Sequence, residues 1–214
     1  MKTVMTAAMA ALVAGTAAAD TLTFDSRSDF RTAAGGPLAG FESFEAESNG
    51  LILAGQSHTT ANGLTFMPMG NRFASAASLD FSLLGTHATH GERYARIVAG
   101  DLLFELPEAA NAIGFDITDF PELRGSRMTF SNNAGDSVEI EFDSRGSGNS
   151  EFFGLINTQF SFNRILLSNS RAVDAYGIDG IEFGNLLTDP IIPAPTAAVM
   201  GLAGLAGVGI RRRR

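Results

Sequence analysis

Four acidic residues near the two ends of the central sequence have side chains suited to a divalent cation. Glu42 and Glu45 lie early in the chain, and Asp174 and Asp179 lie near the end of its β-rich part. Ca²⁺ prefers hard oxygen ligands such as carboxylates and takes about six to eight of them. These four residues are therefore the predicted ligands of a structural calcium site joining the two ends of the domain.

The alternation of residues around Asp179 also supports the predicted calcium site. On a strand over 176–183, Asp179 would share one face with Ile181 and Phe183, because side chains alternate along a strand. Asp179 is therefore predicted to point towards the core, where an unpaired ionised carboxylate is costly. The sequence leaves open whether its partner is calcium or an arginine, or whether these carboxylates are simply solvated.

The three histidines are the other candidate metal ligands. His87 and His90 have the i, i+3 spacing that could hold Zn²⁺, with a third ligand from His58 or Glu92. Their surroundings over 85–91 are typical of a loop, so two solvated histidines are the simpler interpretation. The chain also lacks the His-Glu-x-x-His spacing of metalloproteases.

Catalytic arrangements are not indicated elsewhere. The run 55–59 lacks the second glycine of a nucleophile elbow. Glu139 and Glu141 lie on the outward face of a predicted strand, which indicates solvated surface rather than a glycosidase pair. The sequence favours a protein that is not an enzyme, with a secreted glycan hydrolase or lyase as the less favoured reading.

Composition narrows the class of protein. The 214 residues include no Cys and no Trp, and the formal net charge is -8. The absence of Cys excludes disulfides, thiolate metal sites and cysteine nucleophiles. The acidic balance argues against nucleic-acid binding, which requires Lys and Arg at phosphates. An apolar content of 45% with 18% charged residues favours a folded domain.

The elements that must position these residues are mostly strands. Period-two alternation predicts strands at 21–24, 102–106, 113–117, 127–131, 138–142, 151–156, 160–167 and 176–183. Turn residues over 132–136 predict a hairpin. The alternation breaks within 160–167, which predicts a bulge or a strand buried on both faces.

Short strands, glycine-rich turns and 17 Phe predict an all-β, jelly-roll-like β-sandwich. One short helix is predicted over 26–34, with Ser26 or Ser28 as its N-cap. The only tyrosines are Tyr94 and Tyr176. The phenylalanines are therefore predicted to form the core rather than a sugar-binding platform.

The first 19 residues are predicted to be a signal peptide. Lys2 precedes an apolar stretch over 3–15, and small residues follow. This order is typical of a secretory signal helix that is cleaved, here between Ala19 and Asp20. The predicted β-sandwich domain then covers 20–185.

After a linker over 186–192, the tail over 193–214 has three parts. These are Pro193-Ala194-Pro195, an uncharged apolar run over 196–210, and a terminal cluster of Arg211, Arg212, Arg213 and Arg214. As a helix the run would span about 22 Å, short of a hydrocarbon core of about 30 Å. The arginines would hold this end on the cytoplasmic side. The sequence predicts a short transmembrane helix that anchors the chain transiently.

This tail resembles the sorting tail of PEP-CTERM proteins, whose motif is usually Pro-Glu-Pro; Ala194 stands here in place of the Glu. The resemblance implies export through the secretion machinery and processing near the motif by an exosortase-type enzyme, with this chain as substrate. It also implies a place in the cell envelope, at the cell surface or in the extracellular matrix of a bacterium, associated with biofilm or exopolysaccharide.

The central domain resembles jelly-roll carbohydrate-binding modules. These often open on a Phe-Glu strand, here Phe41-Glu42, and close on an Ile-Asp strand, here Ile178-Asp179. Many hold a structural Ca²⁺ where these ends meet. Phe152-Phe153-Gly154 matches a further feature of PEP-CTERM ectodomains.

The expected function is that of an exported, non-catalytic surface or matrix protein. The alternative is a glycan-binding module with a polysaccharide partner and, by the same resemblance, dependence on Ca²⁺. A concave groove with exposed rings or convergent polar groups would favour the glycan binder. A cleft with two facing carboxylates, one with a raised pKa, would favour the enzyme.

Overall fold

The computed structural model describes residues 21–48, 51–69, 76–79, 87–98, 100–118, 126–142, 150–168 and 175–186. This part of the chain forms one helix and fourteen strands. They are α1 (Arg27–Ala34), β1 (Thr21–Phe24), β2 (Gly40–Glu42), β3 (Leu51–Leu53), β4 (His58–Thr59), β5 (Thr65–Met69), β6 (Ala76–Leu79), β7 (Ala95–Val98), β8 (Asp101–Ala110), β9 (Ala112–Thr118), β10 (Ser126–Ser131), β11 (Ser137–Phe142), β12 (Ser150–Asn157), β13 (Phe162–Ser168) and β14 (Ala175–Gly184).

The strands form two antiparallel sheets that share one core. Sheet A has the order β1-β12-β9-β14-β7-β6-β3, and β2 pairs with β14 beyond the end of β7. Sheet B has the order β11-β10-β13-β8-β5-β4. The chain is thus an all-β, jelly-roll-like sandwich, which confirms the predicted fold class.

The predicted terminal elements lie outside the described residues. This applies to the signal peptide with its cleavage site at Ala19 and Asp20, and to the whole tail from Pro193 to Arg214. Across the described ranges, no helix has the length and apolar character needed to cross a lipid bilayer.

The core between the sheets is built largely on phenylalanine. Seven buried rings form a continuous series, the phenylalanine chain, with neighbouring centroids 4.9–6.2 Å apart. In order they are Phe44, Phe66, Phe104, Phe115, Phe153, Phe130 and Phe162. The chain crosses from sheet B to sheet A at Phe104–Phe115 and returns at Phe153–Phe130, so it ties the sheets together. For these rings the predicted core role is confirmed.

Helix α1 packs on the outer face of sheet A through Phe30. The helix begins as predicted, because the Ser26 Oγ accepts a hydrogen bond from the Asp29 backbone N–H at 3.4 Å. Phe30 is fully buried above Gly114 and Gly154, which lie opposite each other in β9 and β12. A Cβ atom at Gly154 would lie 2.8 Å from the Phe30 ring. The paired glycines thus form the slot in which the helix docks.

The predicted irregularity in β13 is confirmed and has its cause in β8. The pairing shifts between Phe162 and Arg164, because the β8 residues 106–109 stand opposite a single residue of β13. Pro107 lies in this segment and has no N–H to donate to a neighbouring strand. As a result Phe162 and Ile165 both reach the core, and 107–109 protrude from the sheet into solvent.

The predicted hairpin is also confirmed. Strands β10 and β11 pair directly, from Ser126 opposite Phe142 to Ser131 opposite Ser137. The Asn132 Oδ1 closes the turn by accepting backbone N–H groups of Ala134 and Asp136, each at 3.0 Å.

Candidate functional site

A bulge in β14 turns Asp179 to the outer face of sheet A. The pairing of β14 with β9 shifts between Asp179 and Glu182, and Gly180 has a φ of 55°. Ile181 and Phe183 reach the core, but so does the residue directly before Asp179. The prediction that Asp179 shares the core face with Ile181 and Phe183 is therefore wrong, because the bulge breaks the alternation.

The carboxylate of Asp179 is buried and held by three backbone N–H groups. Thr89 and His90 donate to Oδ2 at 2.7 and 2.6 Å, and Gly180 donates to Oδ1 at 2.7 Å. Burial raises the pKa of Asp179, and these hydrogen bonds act in the opposite direction. Asp179 is buried, but on the outer face of sheet A rather than in the predicted core, and its partners are mainly backbone groups of the loop over 87–93.

Asp116 lies directly opposite Asp179 in the sheet. The Thr89 hydroxyl donates to the Asp116 Oδ2 at 2.7 Å, and the Arg27 Nη2 lies 3.1 Å from its Oδ1. The His90 Nδ1 lies 3.4 Å from the same Oδ2. Two facing carboxylates are thus present, but both are engaged by the loop and the helix above them, so they act as anchors.

Glu182 extends this arrangement to helix α1. It is 1% exposed, and its carboxylate lies 2.5 Å from the Arg27 Nη1 and 3.0 Å from the Arg31 Nε. The Arg27 guanidinium also lies 4.7 Å from the centre of the Phe152 ring. Together these contacts fasten α1 to β14. We call the set the anchor network: Arg27, Arg31, Thr89, His90, Asp116, Asp179 and Glu182.

The other two described calcium candidates also bind N–H groups. The Glu42 Oε1 accepts the Phe44 backbone N–H at 2.6 Å, and its Oε2 accepts the Asn62 Nδ2 at 3.2 Å. The Glu45 Oε1 accepts two successive backbone N–H groups of the 87–93 loop, at 2.8 and 2.7 Å. Glu45 and Asp179 therefore hold the same loop.

The described carboxylates do not by themselves fit calcium. N–H groups present their positive ends to the oxygens that a cation would use, and Asp174 lies outside the described residues. Among the residues that the structure covers, no three His, Asp or Glu side chains form a metal-binding group. The calcium site stays a prediction, which melting in EDTA and again after addition of Ca²⁺ would test.

The histidines occupy separate positions. The His58 Nε2 lies 2.8 Å from the Glu47 Oε2. The His87 backbone exchanges two hydrogen bonds with the Thr118 hydroxyl, at 3.4 and 3.3 Å. His90 belongs to the anchor network. The described residues thus contain no group of three ligands for zinc.

A groove of about 670 Å³ lies between the two sheets at one end of the sandwich. Three segments form its walls: 39–41 at the start of β2, 107–110 in the protruding part of β8, and 183–185 at the end of β14. Asn62 also lines it. We call this site the mouth groove. The bulge imposed by Pro107 forms one of its walls.

The mouth groove is lined by several polar residues, with an exposed aromatic ring at its rim. The polar residues of the lining are Asn62, Glu108 and Asn185, all of them exposed. Phe41 also lines the groove and is 40% exposed. Because Phe41 pairs with Glu182, its ring lies on the outer face of sheet A, where it meets the His90 ring edge-on at 5.6 Å.

Most of this groove was not predicted from the sequence. The sequence indicates Phe41 only as part of a Phe-Glu motif. It does not indicate Asn62, Glu108 or Asn185 as site residues. The one local signal is Pro107, since a proline within a strand pattern marks an interrupted edge. The other residues carry no such signal, because the fold alone brings their three segments together.

Comparison with known proteins gives structural likenesses alone. No family model and no curated protein matches the chain. One similar solved structure is a CBM61 module in complex with β-1,4-galactotriose (15% identity, 66% of this chain and 92% of that chain, TM-score 0.34). A second is the CBM22-1 xylan-binding domain from Paenibacillus barcinonensis (12% identity, 63% of this chain and 98% of that chain, TM-score 0.37). A third is the K2 cleaved adhesin domain of Lys-gingipain (14% identity, 67% of this chain and 96% of that chain, TM-score 0.38). At these identities and TM-scores the likenesses carry no argument about what this chain binds.

Proposed function

We propose that residues 20–185 form an exported, non-catalytic domain that binds glycan at the mouth groove, on the surface or in the extracellular matrix of a bacterium. The observation that carries this proposal is a groove lined by Asn62, Glu108 and Asn185, with the exposed Phe41 ring at its rim. Sugars present C–H faces that pack on aromatic rings and hydroxyl groups that bond to carboxamides and carboxylates. The groove and its rim together supply both kinds of contact.

The anchor network supports a non-catalytic role. A glycosidase needs two carboxyl groups that reach the scissile bond from either side. The facing pair here, Asp116 and Asp179, instead accepts hydrogen bonds from Thr89 and from the backbone of the 87–93 loop. Both carboxyl groups are buried, so they serve the fold.

Binding at the groove is tested with the secreted protein on a glycan array, followed by titration calorimetry. Phe41→Ala is expected to weaken glycan binding about tenfold or more, because a ring contact of about 1.4 kcal/mol corresponds to that factor. The matched control is Leu53→Ala, an exposed apolar residue (45%) that does not line the groove. It should leave the dissociation constant unchanged.

Absence of any bound glycan would overturn the proposed function. Equal losses in the Phe41→Ala and Leu53→Ala variants would overturn the assignment to the mouth groove. The melting temperatures of both variants show whether each remains folded.

Delivery and processing form the second part of the proposal. When the full chain is expressed in a bacterium that carries an exosortase-type enzyme, intact mass is expected to show loss of residues 1–19 and of the tail with Arg211–Arg214. Replacing Pro193 and Pro195 by alanine should leave the tail in place, with the chain retained at the membrane. A full-length soluble product from the unaltered sequence would contradict this part.

A further inference from the structure

Asn62 uses both of its side-chain hydrogen-bond donors within the protein. The Asn62 Nδ2 donates to the Phe41 carbonyl and to the Glu42 Oε2, each at 3.2 Å. Both partners are acceptors, which fixes the orientation of the Asn62 amide. Its Oδ1 has no hydrogen-bond partner among the described residues.

The opposite wall also presents an oxygen acceptor. The Asn185 Nδ2 donates one of its two N–H groups to the Ala109 carbonyl at 3.5 Å, and the Asn185 Oδ1 has no partner in the described part of the chain. The Glu108 carboxylate is exposed and takes part in no described hydrogen bond or ion pair. Apart from one Asn185 N–H, the side-chain atoms left for a ligand are therefore oxygen acceptors.

Positive charge does not balance these acceptors. The lining residues include no Lys, Arg or His. The nearby basic side chains are committed elsewhere, since Arg27 and Arg31 bind Glu182, and the His90 Nδ1 faces Asp116. The whole chain is also acidic, at -8, before any loss of its terminal arginines.

We propose, resting on the proposed function, that the mouth groove selects glycans rich in hydroxyl or amino donors and rejects glycans that carry acid groups. Acceptor oxygens can bind only ligand donors, so hydroxyl and amino groups fit them. A uronate or sulfate group would meet the Glu108 carboxylate with no cation to offset the repulsion. At about 4 Å in water that repulsion is worth about 1 kcal/mol, which is about a fivefold change in affinity.

An array of matched oligosaccharides tests this selectivity. Oligosaccharides of glucose, mannose and galactose are each printed beside the 6-carboxylate and the 2-amino-2-deoxy counterpart. The secreted protein is expected to bind neutral or amino members about fivefold more tightly than the matched carboxylates at low ionic strength. The difference should shrink as salt is added, because exposed charges are screened.

Charge reversal separates the groove from the rest of the surface. Glu108→Lys is expected to raise the affinity for carboxylate members about tenfold or more and to leave the neutral members nearly unchanged. The control Glu141→Lys makes the same change in net charge at an exposed residue on β11, outside the groove. It should leave the selectivity as it is.

The outcomes distinguish the two proposals. If no member of the array binds, the proposed function falls, and this inference falls with it. If carboxylate members bind as tightly as neutral ones, the selectivity is overturned and the glycan-binding function stands. Equal gains from Glu108→Lys and Glu141→Lys would show an effect of net charge and would overturn the role of Glu108.

Discussion

Replacement of Asp179 by alanine is expected to lower the free energy of unfolding by about 3–5 kcal/mol. The substitution leaves the backbone N–H groups of Thr89, His90 and Gly180 without their acceptor in a buried region. Each unsatisfied buried donor costs about 1–3 kcal/mol, and loss of a buried charged partner costs about 3–5 kcal/mol in total. Urea unfolding monitored by circular dichroism measures the change.

The sign of the pH dependence gives a second check on Asp179. Because burial raises its pKa, the folded protein binds this proton more tightly than the unfolded chain does. The contribution of Asp179 to the unfolding free energy therefore falls as pH rises from the ordinary carboxyl range to the raised pKa, and is constant above it. The Asp179→Ala variant lacks this slope, so the difference between the two proteins should shrink from acid to neutral pH.

Glu141→Ala is the control for this experiment. Glu141 is exposed and makes no described hydrogen bond or ion pair, so its loss should change stability by no more than about 0.5 kcal/mol. A similarly small change in Asp179→Ala would contradict the role of Asp179 as the anchor of the 87–93 loop.

Truncation of the phenylalanine chain at Phe104 should have an effect of the same size. Phe104 is 1% exposed, and its ring lies 4.9 Å from that of Phe66 and 6.2 Å from that of Phe115. Phe104→Ala removes the ring at one of the two crossings between sheet B and sheet A and leaves a cavity. We expect the free energy of unfolding to fall by about 3–5 kcal/mol.

Phe41→Ala is the matched control for Phe104→Ala, since it deletes the same ring from an exposed position. Its stability loss should stay below about 1 kcal/mol. If the two variants lost equal stability, the phenylalanine chain would not be the main link between the sheets. The same Phe41→Ala protein is the test variant in the binding experiment, where we expect it to weaken glycan binding.

Regular elements could be predicted where alternation and turn chemistry agree. The hairpin of β10 and β11 follows from Val138, Ile140 and the Asn132 turn, all of which act locally. The helix follows from its Ser26 cap. The face of the sheet on which Asp179 lies could not be predicted in this way. Gly180 has a positive φ, and the strand register shifts directly after Asp179, so the alternation seen in the sequence does not continue through this point.

The candidate sites depended even more on contacts that are distant in sequence. Asp179 is buried by a loop on the outer face of the sheet rather than by the core that its strand pattern predicts, and its partner Thr89 in that loop is 90 residues away. Arg27 and Glu182 are separated by 155 residues. The mouth groove likewise combines segments around Gly40, Pro107 and Gly184. Local sequence patterns carry no information on such distant pairings, so the groove emerged only from the assembled sheets.

The position of β14 has a consequence for when this chain can fold. It is the last strand that the structure describes, yet it lies in the middle of sheet A, between β9 and β7, and also pairs with β2. A growing chain without β14 has neither the centre of that sheet nor the Glu182 that fastens α1. Native folding must therefore wait until β14 has been synthesised, because non-local strand pairing comes late. This topology delays folding while the chain is still being made, which would suit the export that we propose.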